Sequence, residues 1–474
     1  MKRINNILIG CAVAVGLASC SLDSDVYQYK NTEDAFKSVR DVESGLNGAY
    51  YALGDYPFLG NYAISLSDMC SGICNGSASS GHMYAYSTYT FSETDEEIDG
   101  IWVGGYQVLD RATRTINGAK KVEDNSVLSA ADSATVNNYI GQCYALRALA
   151  SYYLVNCFAL PYSTSPSTPG IVLVTTTPIE EMTNVSRSTV ADTYKQILAD
   201  IAAAEPLLAS TPDQGVFYMN TGALAAIKAR VYMDMGNYAD AKTSALAAIS
   251  YCGGTGTGSD NTFDNTSYLA LWKDIATNSN EELFSIKKAS DDNLSANSLN
   301  TLYGSYYCTV TNYMQTLFEP TDIRSNLMAT TDNGVQPQKY PGTTTDASVS
   351  NIRILRKSEM SLDLAEIFAR EGDITSANSY LMYTAKRDSA YADGTKALPT
   401  TTADLLKFIS QERIREFFGE GHCLYDSRRM GDIIEGDTWH NFDVKKFVFP
   451  IPSDEVNSGW GVTQNADWFN NLPE

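Results

Sequence analysis

One spacing occurs twice in this chain. Tyr232-x3-Gly236-x-Tyr238-x2-Ala241-x6-Ala248 returns as Phe368-x3-Gly372-x-Ile374-x2-Ala377-x6-Thr384. An aromatic, a glycine one turn later, then a large and a small residue form the junction of two antiparallel helices, as in stacked helical repeats. The glycine permits a left-handed cap between the helices. The small residues let the second helix approach the first closely. Such a junction commits the chain to helix-on-helix packing. The copies lie far more than one repeat apart, so other units are degenerate or separated by insertions.

Helical periodicity runs through most of the remainder. Asn31-Thr32-Glu33-Asp34 is read as a capping start, with Ala35, Phe36, Val39, Val42, Leu46 and Ala49 following at helical spacing. Helical pattern returns over 101–116 and 136–158. The second stretch is apolar nearly all round with one cation, Arg147, and predicts a central, enclosed helix. Periodicity fails over 54–95 and again over 253–350, where only Glu282-Leu-Phe-Ser-Ile-Lys287 reads as a short strand. The fold class is therefore mostly α: tetratricopeptide-like hairpins as scaffold, with long irregular insertions and a few short strands. Hydrophobic residues make up 44% of the 474, enough for a sizeable core.

The N-terminus sets the compartment. Met1-Lys2-Arg3 is a short basic region, and Ile7 to Leu17 is an apolar stretch too short for a permanent membrane span but right for a signal segment. It ends in Leu17-Ala18-Ser19-Cys20, a bacterial lipobox. Residues 1–19 are read as a lipoprotein signal peptide, Cys20 as the lipidated residue, 20–30 as a tether, and 31–474 as a single helical domain. Several acyl chains anchor a protein stably. Of nine cysteines, Cys11 leaves with the signal and Cys20 takes the lipid. The seven left are odd in number. Cys143 and Cys157 read as buried thiols, while Cys70 and Cys74 could close a small loop or stay reduced.

Charge and motifs exclude several functions. Lys and Arg number 34 against 56 Asp and Glu, a net −22 with no basic block, which a polyphosphate backbone would repel. Nucleic acid is not the partner. Only His82, His422 and His440 exist, with no HExxH or CxxC, so neither a zinc site nor a cofactor is expected. Glu412, Arg413, Glu416, Asp426, Arg428 and Arg429 invite a glycosidase reading. They alternate with Phe417, Phe418 and Tyr425, and an internal ion-pair network is the better account. Asp95, Glu96, Glu97 and Asp99 read as a helix N-terminus. Without GxSxG or a P-loop, no catalytic residue is assigned.

Several segments in order carry a resemblance: Ile101-Trp102-x3-Tyr106; Ala145-Leu146-Arg147-Ala148-x3-Tyr152-Tyr153; Arg356-x2-Glu359-Met360. They continue with Glu412-Arg413-x2-Glu416-Phe417-x-Gly419-Glu420-Gly421, Tyr425-Asp426-x-Arg428-Arg429, Pro450-Ile451-Pro452-x2-Glu455 and Thr463-Gln464-Asn465. Behind a lipobox, with Asp23 and Asp25 in the tether, this order resembles the SusD/RagB outer-membrane lipoproteins of Bacteroidetes. The resemblance implies a helical scaffold and a place on the outer membrane, facing the exterior. It also implies a role as lid of a SusC-like TonB-dependent transporter that imports oligosaccharides. Asp467-Trp468 departs from the family's more usual Gly-Tyr and is read as structural.

Sugar binding without catalysis needs exposed aromatic faces, which loops on a rigid scaffold provide. Thirty tyrosines are on hand. One tract holds Tyr56, Phe58, Tyr62, His82, Tyr84, Tyr86, Tyr89 and Phe91, with Asp68 between. The alternation of Tyr84 and Tyr86 would turn both rings to one side of an extended segment. A second tract holds Tyr303, Tyr306, Tyr307 and Tyr313. The candidate ligand residues are Asp68, Tyr84, Tyr86, Tyr306 and Tyr307, with Arg353 as a hydroxyl-binding fork. Peptide capture, as the RagB side of the family implies, is the alternative; an adhesin subunit is a third reading. Replacing Cys20→Ala should abolish palmitate labelling and move the protein out of the membrane fraction. Unchanged labelling in a fractionation assay would remove the lipoprotein assignment.

Overall fold

The glycine junctions form as their spacing dictates. In the computed structural model, which describes residues 35–175, 178–179, 183–209, 214–431 and 443–473, Gly236 has φ +70° and Gly372 φ +81°. In each case the next residue's N–H donates back to the aromatic carbonyl, Asn237 to Tyr232 and Asp373 to Phe368, both at 2.9 Å. The Asn237 and Asp373 side chains then cap the following helices by accepting from Asp240 N and Ser376 N. Helix stop, left-handed turn and helix start thus occupy three consecutive residues. Ala241, Ala248, Ala377 and Thr384, the small positions of the repeat, are all fully buried.

Nine long helices lie among the described residues. They are α1 (Val39–Gly54), α2 (Glu96–Asn125), α3 (Ala130–Phe158), α4 (Val190–Ala209), α5 (Thr221–Met235), α6 (Tyr238–Cys252), α7 (Lys357–Glu371), α8 (Ile374–Ala385) and α9 (Thr402–Phe417). Each packs on the next in sequence, which makes a continuous array of antiparallel pairs. The central α3 is buried on all sides over its second half. Its one cation is fully used: Arg147 pairs with Asp200 of α4 at 2.6 Å and donates to Thr113 Oγ1 of α2 at 3.0 Å. Three helices are clamped through one guanidinium. The start of α1 differs from the sequence reading. Ser38 is the cap, accepting from Asp41 N, and residues 31–34 lie outside the described set, as does Cys20.

The two insertions are less irregular than their sequences imply. The first contains a π-type turn (Tyr56–Gly60), a wholly buried helix (Tyr62–Met69), a short strand β1 (Cys74–Asn75) and one helical turn (Tyr84–Ser87). The second holds β2 (Glu282–Ile286), β3 (Thr309–Val310), β4 (Met328–Thr331) and β5 (Gly334–Pro337), and β6 (Ile352–Arg356) follows it. Three two-stranded antiparallel ladders result: β1 with β3, β2 with β6, β4 with β5. The anticipated strand at 282–287 is β2.

The charged C-terminal motif is a buried lattice. Glu416, fully buried, meets Arg387 at 2.7 Å, Arg356 at 3.0 Å and Arg324 at 3.3 Å. Arg356 also reaches Glu281 at 2.7 Å and Glu420 at 2.8 Å, and Lys339 holds Glu420 at 2.6 Å. Burial alone would raise the Glu416 pKa, but three guanidiniums win and hold it well below the carboxylate range. A second set joins Arg413 to Asp363 and Asp426, and Arg429 to Glu366. Arg428 caps the end of α3, donating to the carbonyls of Asn156 and Ala159. The Thr463-Gln464-Asn465 segment closes on the same end, Asn465 Nδ2 donating to Phe158 O at 3.0 Å. Asp467 has φ +56°, the region glycine enters without strain, and Trp468 stacks on Phe91.

The seven cysteines among the described residues are all free and buried, Cys70 and Cys74 included. No described helix is long and apolar enough to cross a membrane. A Cβ built on Gly236 or Gly372 meets nothing within 4 Å, so substitution there is limited by φ alone. Replacing either glycine with Val should cost roughly 1–2 kcal/mol in denaturant unfolding. Asn, which visits the left-handed region, should cost well under about 1 kcal/mol. Equal losses for Val and Asn would contradict this origin.

Candidate functional site

The two tyrosine-rich tracts meet. Cys74 pairs with Val310 and Asn75 with Thr309, so β1 of the first insertion and β3 of the second form one ladder. Beyond the ladder the first tract turns back on itself, Ser77 N–H donating to His82 O at 2.9 Å. Two contacts then cross between tracts. Ser80 Oγ donates to Tyr306 O at 2.7 Å, and Cys308 Sγ donates to His82 O at 3.6 Å. They bring the His82 and Tyr306 rings into a parallel stack, centroids 3.6 Å apart and planes 15° apart. Tyr84, two residues after His82, is 45% exposed, and Tyr307, next to Tyr306, is 42% exposed. The result is a surface carrying four rings.

Its backbone is held in an unusual state. Six non-glycine residues have positive φ among those described, and Met83, Tyr89 and Tyr307 (φ 55°, 51° and 61°) belong to these two tracts. Left-handed backbone at bulky residues is costly and gathers at ligand sites. Buried anchors hold it there. Tyr89 OH donates to Cys70 O, Gly76 N–H donates to Ser87 Oγ at 3.0 Å, and Tyr303 is buried beneath.

Three of the sequence candidates are elsewhere. Tyr86 is 1% exposed; its OH donates to Glu97 Oε2 at 3.1 Å and its ring stacks on Phe91. The alternation of Tyr84 and Tyr86 fails because Tyr84–Ser87 is a helical turn, and residues two apart on a helix face opposite ways. Arg353 is buried on β6, its guanidinium donating to the carbonyls of Asn351, Leu271 and Ala276. It is a structural tie and offers no fork to a ligand. Asp68 is also fully buried, Oδ2 accepting from Gly419 N at 2.7 Å. Burial pushes its carboxyl up to about 8. His82, in contrast, belongs to the platform, and only its neighbours in the aromatic tract signalled it.

A cleft lined by none of the platform's four rings lies elsewhere. About 370 Å³ is enclosed between Trp102 and Tyr106 of α2, Val172, Val174, Glu455 and Trp460. Glu455 already accepts from Trp102 Nε1 at 3.2 Å, and Tyr106 OH is bonded to the Val172 backbone. Among the family-like residues, Trp102 thus holds Glu455 by a hydrogen bond and packs its ring on Tyr106, centroids 4.8 Å apart. No three His, Cys, Asp or Glu side chains among the described residues are placed to hold a metal ion.

Comparison with known proteins follows the fold end to end. Residues 229–468 match the model of the SusD family, and residues 23–233 match a SusD-like model described as starch-binding associating with outer membrane. A SusD-like protein P2 of Formosa agariphila is 24% identical over 238 residues. That match spans 49% of this chain and 44% of the relative, so the chain aligns with less than half the relative's length. A SusD superfamily protein from Bacteroides vulgatus superimposes with TM-score 0.78 at 25% identity, over 91% of this chain and 100% of the other. One from Bacteroides thetaiotaomicron gives 0.76 at 23%, over 90% and 99%. A SusD-like carbohydrate binding protein from Bacteroides vulgatus gives 0.68 at 19%, over 83% and 84%.

The buried Asp68 has a measurable consequence. Its ordinary value is 3.8 and its native value about 8. Between these the native protein keeps a proton that the unfolded chain releases, so stability falls as pH rises through this window. Asp68→Asn should therefore gain on the parent in thermal melts as pH climbs from about 4 to 8, and the gap should level off above. A pH-independent difference would place the carboxylate in a solvated setting.

Proposed function

The chain belongs to the SusD family, and from that premise we propose that it is a surface lipoprotein that binds oligo- or polysaccharide and passes it, uncleaved, to a SusC-like TonB-dependent transporter. Cys20 would carry the lipid that holds it to the outer membrane, facing outward. The observation that carries the reading is the exposed platform of His82, Tyr84, Tyr306 and Tyr307. Flat rings accept the C–H faces of sugars, and an open surface admits a chain longer than itself. Peptide capture would call for a deep cleft lined with backbone partners, which this surface is not.

The non-catalytic role is supported by the fate of the paired carboxylates. Glu412 and Glu416, the residues that most suggest a glycosidase, are buried and bound by arginines. Neither faces solvent, where a glycosidic oxygen would be protonated. The carbohydrate binding named for the Bacteroides vulgatus neighbour agrees in kind.

Each ring stacked on a sugar should contribute about 1–2 kcal/mol, roughly tenfold in affinity. The pairs His82→Ala with Tyr84→Ala, and Tyr306→Ala with Tyr307→Ala, should each lose retention in polysaccharide affinity gels with little change in melting temperature. Tyr86→Ala should do the opposite, lowering the melt and sparing binding in the folded fraction. Full retention by both double variants would move the site off the platform. Co-purification of a large outer-membrane barrel in mild detergent tests the transporter partner.

A further inference from the structure

The platform is built from two stretches of the chain that carry no charge. Between Asp68 and Glu93 there is no Asp, Glu, Lys or Arg, and between Asp292 and Glu319 there is none either. With 19% of the chain charged, about nine such residues would fall in a length equal to these two tracts together. The fold then joins the two tracts through the β1–β3 ladder and the His82–Tyr306 stack. The flanking β4–β5 hairpin packs on Thr309 through Gly334 and brings one charge at its tip, the acid Asp332. His82 is the one side chain in the two tracts able to carry a positive charge.

From this juxtaposition we infer that the platform selects neutral saccharides and rejects those bearing carboxylate or sulfate groups. The inference rests on the glycan-binding reading above and narrows it. A carboxylate or sulfate on a bound sugar needs a guanidinium or ammonium partner, because a charge desolvated without one is strongly disfavoured. Neither tract supplies Arg or Lys. The rest of the protein adds repulsion, since the chain's net charge is −22 and a polyanion approaches against that field. Neutral sugars lose nothing by this arrangement. Their hydroxyls find the serines and amides of the two tracts, and their C–H faces find the rings.

Matched pairs of polysaccharides that differ in charge alone test the inference. The full mature chain would be run in affinity gels containing dextran or dextran sulfate, and highly methyl-esterified or de-esterified polygalacturonan. Laminarin, xyloglucan, mannan and inulin extend the neutral set; alginate and chondroitin sulfate extend the acidic set. Each gel is run at low and at high NaCl, with His82→Ala/Tyr84→Ala and Tyr306→Ala/Tyr307→Ala alongside. The expected result is retention on one or more neutral gels, unchanged by salt and lost in the double variants, with at least tenfold weaker retention on every acidic gel. Salt-sensitive retention on an acidic gel that the double variants abolish would overturn the charge selection and leave the platform standing as a glycan site. Retention that survives both double variants, or none on any gel, would remove the glycan-platform reading itself and this inference with it.

Discussion

Everything else in the molecule leans on Glu416. Its carboxylate is fully buried and shared by guanidiniums from three separate stretches of chain: Arg324, Arg356 and Arg387. Those stretches are the 3₁₀ turn that precedes β4 in the second insertion, the close of the β2–β6 ladder and the exit from α8. Burying one carboxylate among three cations is tolerable only because Glu412, Glu420, Glu281 and Asp322 complete the pairing. A lattice of this kind adds little net stability compared with apolar packing of equal volume. What it does is exclude alternatives, since any shift of α9 against its neighbours would strand buried charges without partners.

The residues after Glu416 extend the same control outward. Gly419 N–H donates to Asp68, and Gly419 O accepts from Tyr340 OH at 2.8 Å. Gly421, at φ +78°, lies so close to the backbone of Ile64 that a Cβ would approach it to 2.8 Å. The helix that leads into the first aromatic tract and the strand region that leaves the second are therefore seated on one short turn. The platform's rings sit at the far end of segments whose roots are fixed in the interior. This is how loops with little regular structure of their own can present rings in a set arrangement.

Legibility in the sequence followed the range of the interactions involved. The Gly236 and Gly372 junctions, the enclosed helix around Arg147 and the strand at 282–286 depend on neighbours within a few turns, and their patterns were readable. Composition marked the two tyrosine tracts, but their meeting rests on the β1–β3 ladder, a pairing of residues far apart in sequence. Tyr86 was misplaced because four residues, Tyr-Ala-Tyr-Ser, fit a strand and a helical turn equally well. Asp68 and Arg353 were misplaced for a different reason. A polar side chain reads as a surface group until its partner is known, and the partners here, Gly419 for one and the carbonyls of Leu271 and Ala276 for the other, lie far off in sequence. His82 joins the ring surface only because the fold brings Tyr306 over it.

The seven buried thiols carry a consequence for the protein's lifetime. None is crosslinked, so the native state owes nothing to oxidation, and burial keeps sulfurs such as Cys143 and Cys423 protonated and unreactive. Unfolding reverses this. An opened chain would expose all seven to any oxidant it met, and bridges formed in that state would oppose reassembly of the helical array. The molecule's endurance then depends on how seldom the chain opens.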